Sequence, residues 1–362
     1  MAQWYGIQVG ISSRMWLTAS LVTLLSGYVT TSTAAQTDSG NYRIRNFQFV
    51  DGKNMTELRI HYMTLGRKDH PAVLILHGTG GSYRQFLAPI FAAELFGAGQ
   101  ALDTTRYFII LADGIGHGGS SKPSDGLRAQ FPHYDYDDMV RAQYRLVSEG
   151  LGLQKLRLVL GTSMGCMHAW VWAETYPSFM DGIVPLACLP TQIAGRNRMW
   201  RKLAIDAVRA DPGWKHGNYA AEPTSLATVQ ALVLMVSGSP SYYQRLGPTR
   251  DSADIYLGQF RKRMHQGGFA DANDAIYALD ASRDYDPTSG LEQIRTRVLA
   301  INFADDQVNP PELGIMEKLI RRVKGARFIL IPADQRTVGH GTHTKAAVWK
   351  SYLDDFMKEL TR

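Results

Sequence analysis

The sequence predicts an α/β protein: a mostly parallel, eight-stranded sheet wrapped by helices, with a helical cap inserted above it. Three observations lead there. Residues 42–49 and 57–65 alternate polar and apolar side chains, as an antiparallel pair with one solvated face does. Later strand-like segments are continuous apolar runs, the pattern of strands covered on both faces, and helical segments separate most of them. Between Leu189 and Glu292 about a hundred residues hold no convincing buried strand, which is too long for an ordinary loop.

In chain order, Arg14 precedes a run from Met15 to Val29 that is apolar with small hydroxyl residues, and no acid occurs before Asp38. Small residues follow, Ser32-Thr33-Ala34-Ala35-Gln36, so 1–35 reads as a signal peptide cleaved after Ala34 or Ala35. The expected destination is the periplasm or the medium, without stable membrane insertion once the leader is removed, because the apolar run is short and hydroxyl-rich. Beyond the first pair, strands are expected at 72–76, 107–112, 156–160, 182–188, 298–303 and 327–331, with helices at 136–150 and 312–323. Helical patterns at 198–209, 226–236, 255–266 and 271–281 fill the insertion. The division is therefore a core of 36–189 and 292–362 with a cap of 190–291. Cys166 and Cys188 read as buried free thiols, since sequence cannot show whether their Cβ atoms meet.

Composition excludes several classes. The net charge of +6 is spread without a long basic run, so nucleic acid is not an expected partner. No metal-ligand cluster occurs, and the segment His77-Gly78-Thr79-Gly80-Gly81 lacks the Lys-Ser/Thr ending of a phosphate-binding loop, so no cofactor is expected. The expected partner is a small-molecule substrate, bound at the carboxyl ends of the strands.

The chemistry concentrates at Gly161-Thr162-Ser163-Met164-Gly165, between the apolar run 156–160 and a helical segment that stops before Pro177. A G-x-S-x-G turn at a strand-to-helix junction holds its serine in a strained conformation, clear of the sheet and at the positive end of a helix. A serine hydroxyl needs a base to take its proton, and the base an orienting carboxylate. Downstream, the strand 298–303 leads to Ala304-Asp305-Asp306-Gln307-Val308-Asn309-Pro310-Pro311. Asp306 is the expected acid by its spacing to the prolines, with Asp305 the alternative; as a bland reading, both cap the helix that follows. After the last strand, Gly339-His340-Gly341-Thr342-His343 supplies His340 as the expected base, with His343 the competitor. His117 follows the wrong strand, and its glycine-rich loop suggests a structural role. Backbone N–H groups of Met164 and Thr79 are the expected oxyanion donors, with Gly80 second to Thr79.

These residues, together with His61-Tyr62-Met63-Thr64-Leu65-Gly66, Ala210-Asp211-Pro212-Gly213-Trp214 and Asp271-Ala272-Asn273-Asp274, resemble the homoserine O-acetyltransferase branch of the α/β-hydrolase superfamily over nearly everything after Asn41. The resemblance implies Ser163, Asp306 and His340 as the triad, and a dimer through the cap. Two departures matter. Family acyltransferases hold the amino-acid carboxylate with an arginine and a tyrosine on a cap helix, which aligns with 226–236, where Thr228, Val229, Gln230 and Met235 stand instead. The family also has an acid after the catalytic histidine to meet the substrate ammonium; here that residue is Gly341. A zwitterionic amino acid would leave buried charges unpaired in such a site. The expectation is a secreted serine hydrolase acting on an ester, lactone or thioester of a small, mostly uncharged substrate. An acyltransferase with an altered acceptor is the alternative, and a non-catalytic binding protein on the same scaffold ranks below both.

Overall fold

The computed structural model describes residues 36–263 and 269–361. The expected signal peptide, 1–35, lies outside the described residues. The chain opens with β1 (Thr37–Gln48) and β2 (Asn54–Leu65), paired antiparallel from Thr37 opposite Leu65 to Gln48 opposite Asn54. Strands and helices then alternate: β3 (Ala72–Leu76), α1 (Pro89–Leu95), β4 (Phe108–Ala112), α2 (Tyr136–Arg145), β5 (Leu156–Thr162), α3 (Met164–Thr175) and β6 (Met180–Leu186). Helices α4 (Gly195–Ala210), α5 (Leu226–Ser237), α6 (Pro240–Leu246), α7 (Arg250–Arg263) and α8 (Ala272–Asp280) fill the connection to β7 (Arg297–Phe303). The chain closes with α9 (Ile315–Leu319), β8 (Arg327–Ile331) and α10 (Ala346–Leu360). All eight strands form one sheet in the order β1-β2-β4-β3-β5-β6-β7-β8, parallel from β4 onward.

Successive side chains of a strand point to opposite faces, so each central strand feeds two cores. On β3 and β5, Leu74, Leu76 and Val159 join the core that holds Trp170 and Trp172. Their neighbours Val73, Ile75, Leu158 and Leu160 join the core of Phe91, Trp349 and Phe356 on the other face. Both cores are fully buried at the centre: Trp170, Trp172 and Trp349 are all 0% exposed. This explains the continuous apolar runs. It also fixes the site, because β3 and β5 are neighbours, with Leu76 beside Gly161, and the loops leaving both open on the same edge.

Several boundaries differ from the sequence reading. β1 begins at Thr37, because Thr37, Asp38 and Ser39 pair with β2 while exposed, and so give no apolar signal. β6 ends at Leu186, leaving Cys188 beyond the strand. The expected helix at 312–323 breaks around Gly314, whose φ of +61° stops a regular turn, and only Ile315–Leu319 is α-helical. Helix α6 had no clear apolar period; Ser239 caps it by accepting from the Tyr242 amide, with Pro240 in its first turn.

The free-thiol expectation is corrected: Cys166 and Cys188 form a disulfide, with Cα atoms 5.9 Å apart. Strand order is the reason. Thr162 and Leu186 are partners at the ends of β5 and β6, so the first turn of α3 and the exit from β6 leave the sheet side by side. Closing a loop across a sequence separation of 22 restricts the unfolded chain. Its removal should cost about 3 kcal/mol. Urea unfolding of the Cys166→Ala/Cys188→Ala double variant measures this, and a midpoint equal to the parent's would show that the bridge adds no stability.

Candidate active site

Ser163 sits between β5 and α3 with φ 55° and ψ −108°, a conformation few side-chain-bearing residues adopt. The flanking glycines permit it by close approach. A Cβ on Gly161 would lie 1.8 Å from the Gly165 carbonyl oxygen, and one on Gly165 would lie 2.2 Å from that of Leu76. The elbow is tied to both neighbouring strands: the Ser163 amide donates to Leu186 O and the Gly165 amide to His77 O, each at 2.9 Å.

Ser163 Oγ lies 2.8 Å from His340 Nε2, and His340 Nδ1 lies 2.8 Å from Asp306 Oδ2. The three expected residues are thus in one hydrogen-bonded line. Asp306 is 2% exposed, and its Oδ1 accepts from the Val308 and Asn309 amides at 2.7 and 3.2 Å. Burial alone would raise its pKa, but His340 beside it and these hydrogen bonds hold it below the usual carboxylate value. The structure also separates the two adjacent aspartates. Asp305 turns away, accepting from Thr337 Oγ1 at 2.8 Å and from the Gly339 amide at 3.0 Å, and so anchors the loop that carries His340. Asn309 was not singled out from the sequence; its Nδ2 donates to Ala187 O at 3.0 Å and lies 3.3 Å from Asp306 Oδ2.

The loop after β3 closes the other side of the serine. A Cβ on Gly78 would lie 3.2 Å from Ser163 Cβ. His77 fixes the loop: its Nε2 accepts from the Gly114 amide at 3.0 Å, so Nδ1 carries the proton that it shares with Gly78 O at 2.9 Å. Among the described residues, the amides of Thr79, Gly80 and Met164 donate to no protein group, which leaves them available to an oxyanion. The Phe269 ring lies against Gly80, and Gln230 Nε2 holds Phe269 O at 2.7 Å. Gln230 therefore positions an apolar wall over this loop.

The other histidines take no part in the line. His117 packs 5.0 Å from the His77 ring and bonds Ile115 O through Nδ1 at 2.8 Å. His343 lies edge-on to His340, with ring centroids 5.2 Å apart. Burial first, with a neighbouring histidine adding to it, pushes both down to about 3, so both are neutral. A cleft of about 580 Å³ reaches the acid end of the line, where Met167, Asp306 and Asn309 border it, and does not include Ser163 or His340.

The fold and the strand-to-helix serine agree with what comparison finds. The chain belongs to the alpha/beta hydrolase fold family, which matches residues 71–333. A probable acyltransferase of Methanothermobacter thermautotrophicus is 31% identical over 301 residues, covering 79% of this chain and 89% of its own. A homoserine O-acetyltransferase of Trichormus variabilis is 30% identical over 294 residues, covering 73% and 79%. Among solved structures, esterase E22 superposes with a TM-score of 0.78 at 19% identity, covering 89% of this chain and all of that one. At that identity the superposition speaks for the fold alone.

Two consequences are measurable. Gly165→Ala places a methyl group into the Leu76 carbonyl and should abolish turnover or folding; wild-type activity in that variant would mean that the close approach is not needed. His343 is buried neutral, with its pKa moved from 6.5 to about 3, so the stability it contributes is complete above pH 6.5 and is lost as pH falls toward 3. Relative to wild type, His343→Gln should therefore gain stability by up to about 1.4 kcal/mol per pH unit across that window and nothing above it. A difference that stays constant from pH 8 to pH 4 would contradict the assignment.

Proposed function

We propose that this protein is a secreted serine hydrolase that cleaves an ester, lactone or thioester of a small substrate through an acyl-enzyme. The observation that carries the reading is the unbroken line from Ser163 through His340 to a buried, ionised Asp306. Ser163 Oγ attacks the carbonyl carbon as His340 Nε2 takes its proton, and Asp306 stabilises the imidazolium. The amides of Met164 and Thr79 receive the oxyanion. The tetrahedral intermediate collapses, and His340 returns the proton to the leaving oxygen or sulfur. Water, deprotonated in turn by His340, then releases the acid from Ser163.

Hydrolysis is favoured over transfer to an amino acid by the two missing charge partners. On α5, Thr228 and Met235 are exposed, Val229 is fully buried and Gln230 is committed to Phe269. Gly341 follows the histidine, so no carboxylate waits there for an ammonium. Export is supported by the leader-like composition of 1–35 and by the Cys166–Cys188 bridge, which suits an oxidising compartment. An exported enzyme would not meet acetyl-CoA. The second reading, an acyltransferase with a changed acceptor, is favoured by the names of the two relatives above.

A panel of short p-nitrophenyl esters and lactones, with wild type beside Ser163→Ala, tests the proposal, with and without acetyl-CoA plus homoserine. Turnover should fall by roughly 10⁴-fold or more in the variant and be indifferent to acetyl-CoA. Hydrolysis that survives the substitution would end the serine mechanism, and transfer to homoserine that outpaces hydrolysis would establish the second reading.

A further inference from the structure

Three successive carbonyls leave the end of β6, and each is held by a different part of the molecule. Leu186 O accepts from the Ser163 amide at 2.9 Å, Ala187 O from Asn309 Nδ2 at 3.0 Å, and Cys188 O from Asn302 Nδ2 at 3.1 Å. Nucleophile and acid loop therefore hang on neighbouring peptide units. The segment they share is itself pinned. Ala187 has a φ of +63°, in the left-handed region that a residue with a Cβ seldom enters, and its amide donates to Ile301 O on β7 at 2.9 Å. Cys188 is bonded to Cys166 in the first turn of α3.

Asn309 links this segment to the triad. Its Nδ2 reaches both Ala187 O and, at 3.3 Å, Asp306 Oδ2, the oxygen that also accepts from His340 Nδ1. A carbonyl and a carboxylate oxygen can only accept, so both partners demand the amide nitrogen and the side chain has one orientation. The remaining bonds to the carboxylate are of another kind. The Val308 and Asn309 amides hold Oδ1 from within the acid's own loop, and would travel with that loop if it shifted. Among the described residues, the Asn309 side chain is the group that refers the carboxylate to the strand exit on which Ser163 also hangs.

From this arrangement we propose that Asn309 is a positioning residue: by spanning from Asp306 to the Ala187 carbonyl it sets the acid, and through it His340, in line with Ser163. The proposal rests on the serine-hydrolase reading, and concerns the line of three residues whichever acceptor finally takes the acyl group. Without the Nδ2 donors Asp306 is free to turn about its side-chain bonds. Misplacement by about 1 Å is enough to cost on the order of 100-fold in rate.

The test measures p-nitrophenyl acetate hydrolysis in wild type, Asn309→Ala, Asn309→Ser, Asn309→Asp and Ser163→Ala. Acylation and deacylation both use the triad, so in Asn309→Ala kcat should fall by about 10-fold to 100-fold with KM within about twofold. Inactivation by diethyl p-nitrophenyl phosphate, which reports the reactivity of Ser163 directly, should slow in step with kcat. Asn309→Ser keeps a hydroxyl able to donate to one of the two acceptors, and should retain more activity than Asn309→Ala. Asn309→Asp has nearly the same shape as the original but no donor, and should lose at least as much. Wild-type kcat in Asn309→Ala, or activity restored by Asn309→Asp, overturns the proposal, as does a lowered unfolding midpoint with unchanged kcat and inactivation rate. Should Asn309→Ala not fold, Asn309→Ser carries the test: a kcat lower by about threefold or more at unchanged KM supports the role, and wild-type kcat ends it. Failure of the hydrolase reading looks different, because turnover would then survive Ser163→Ala whatever the Asn309 variants do.

Discussion

The contact on which the rest of the site depends is between two pieces of backbone. At Gly165 the first turn of α3 presses against the Leu76 carbonyl at the end of β3, with no room for a methyl group. That proximity forces the chain to turn sharply at Ser163, lifting its hydroxyl toward His340. It also brings the loop after β3 within reach of the reacting carbon. The strained dihedrals of one residue are tolerated because the Ser163 and Gly165 amides are both engaged by adjacent strands. A strain of this kind persists only where the surroundings over-determine it, and here two strands and two glycines do so.

Sequence made the sheet and the elbow legible because both leave local traces. Strands buried on two faces cannot avoid being continuously apolar, and a serine between two glycines at a strand end has few other uses. His340 was legible from its glycine neighbours. Spacing to the prolines favours Asp306 over Asp305. What the sequence could not show is where Asp305 points, since neighbouring residues on a loop differ only in direction. The disulfide was hidden because its closure depends on β5 and β6 being adjacent. The burial of Arg201 was hidden for a different reason. This arginine stands among Arg196, Arg198 and Lys202 on α4, a pattern that reads as a solvated helix face until packing shows one member 3% exposed.

The cap is held by polar bonds between segments distant in sequence. The Trp214 indole N–H donates to Asn273 Oδ1 at 2.8 Å, and Asn273 Nδ2 returns to Gly217 O at 3.0 Å. Asp211 receives the Gly213 and Ser225 amides at 2.7 and 2.8 Å. The two short cap motifs picked out in the sequence are therefore partners in one joint. Asp274 carries that joint down to the core by accepting from Ser124, and Phe269 reaches the oxyanion loop from the same layer. Cap and core therefore meet at Gly80, on the loop whose Gly78 lies against Ser163.

The Cys166–Cys188 bridge has a consequence for biosynthesis. The chain contains two cysteines and no more, so only one intramolecular pairing exists. Oxidation during folding has no wrong partner to choose, and no shuffling of mispaired bonds is required. Both thiols leave the ribosome early, with β7, β8 and the histidine loop still to follow. A bond between them can join α3 to the exit of β6 before the base that the serine needs has been made.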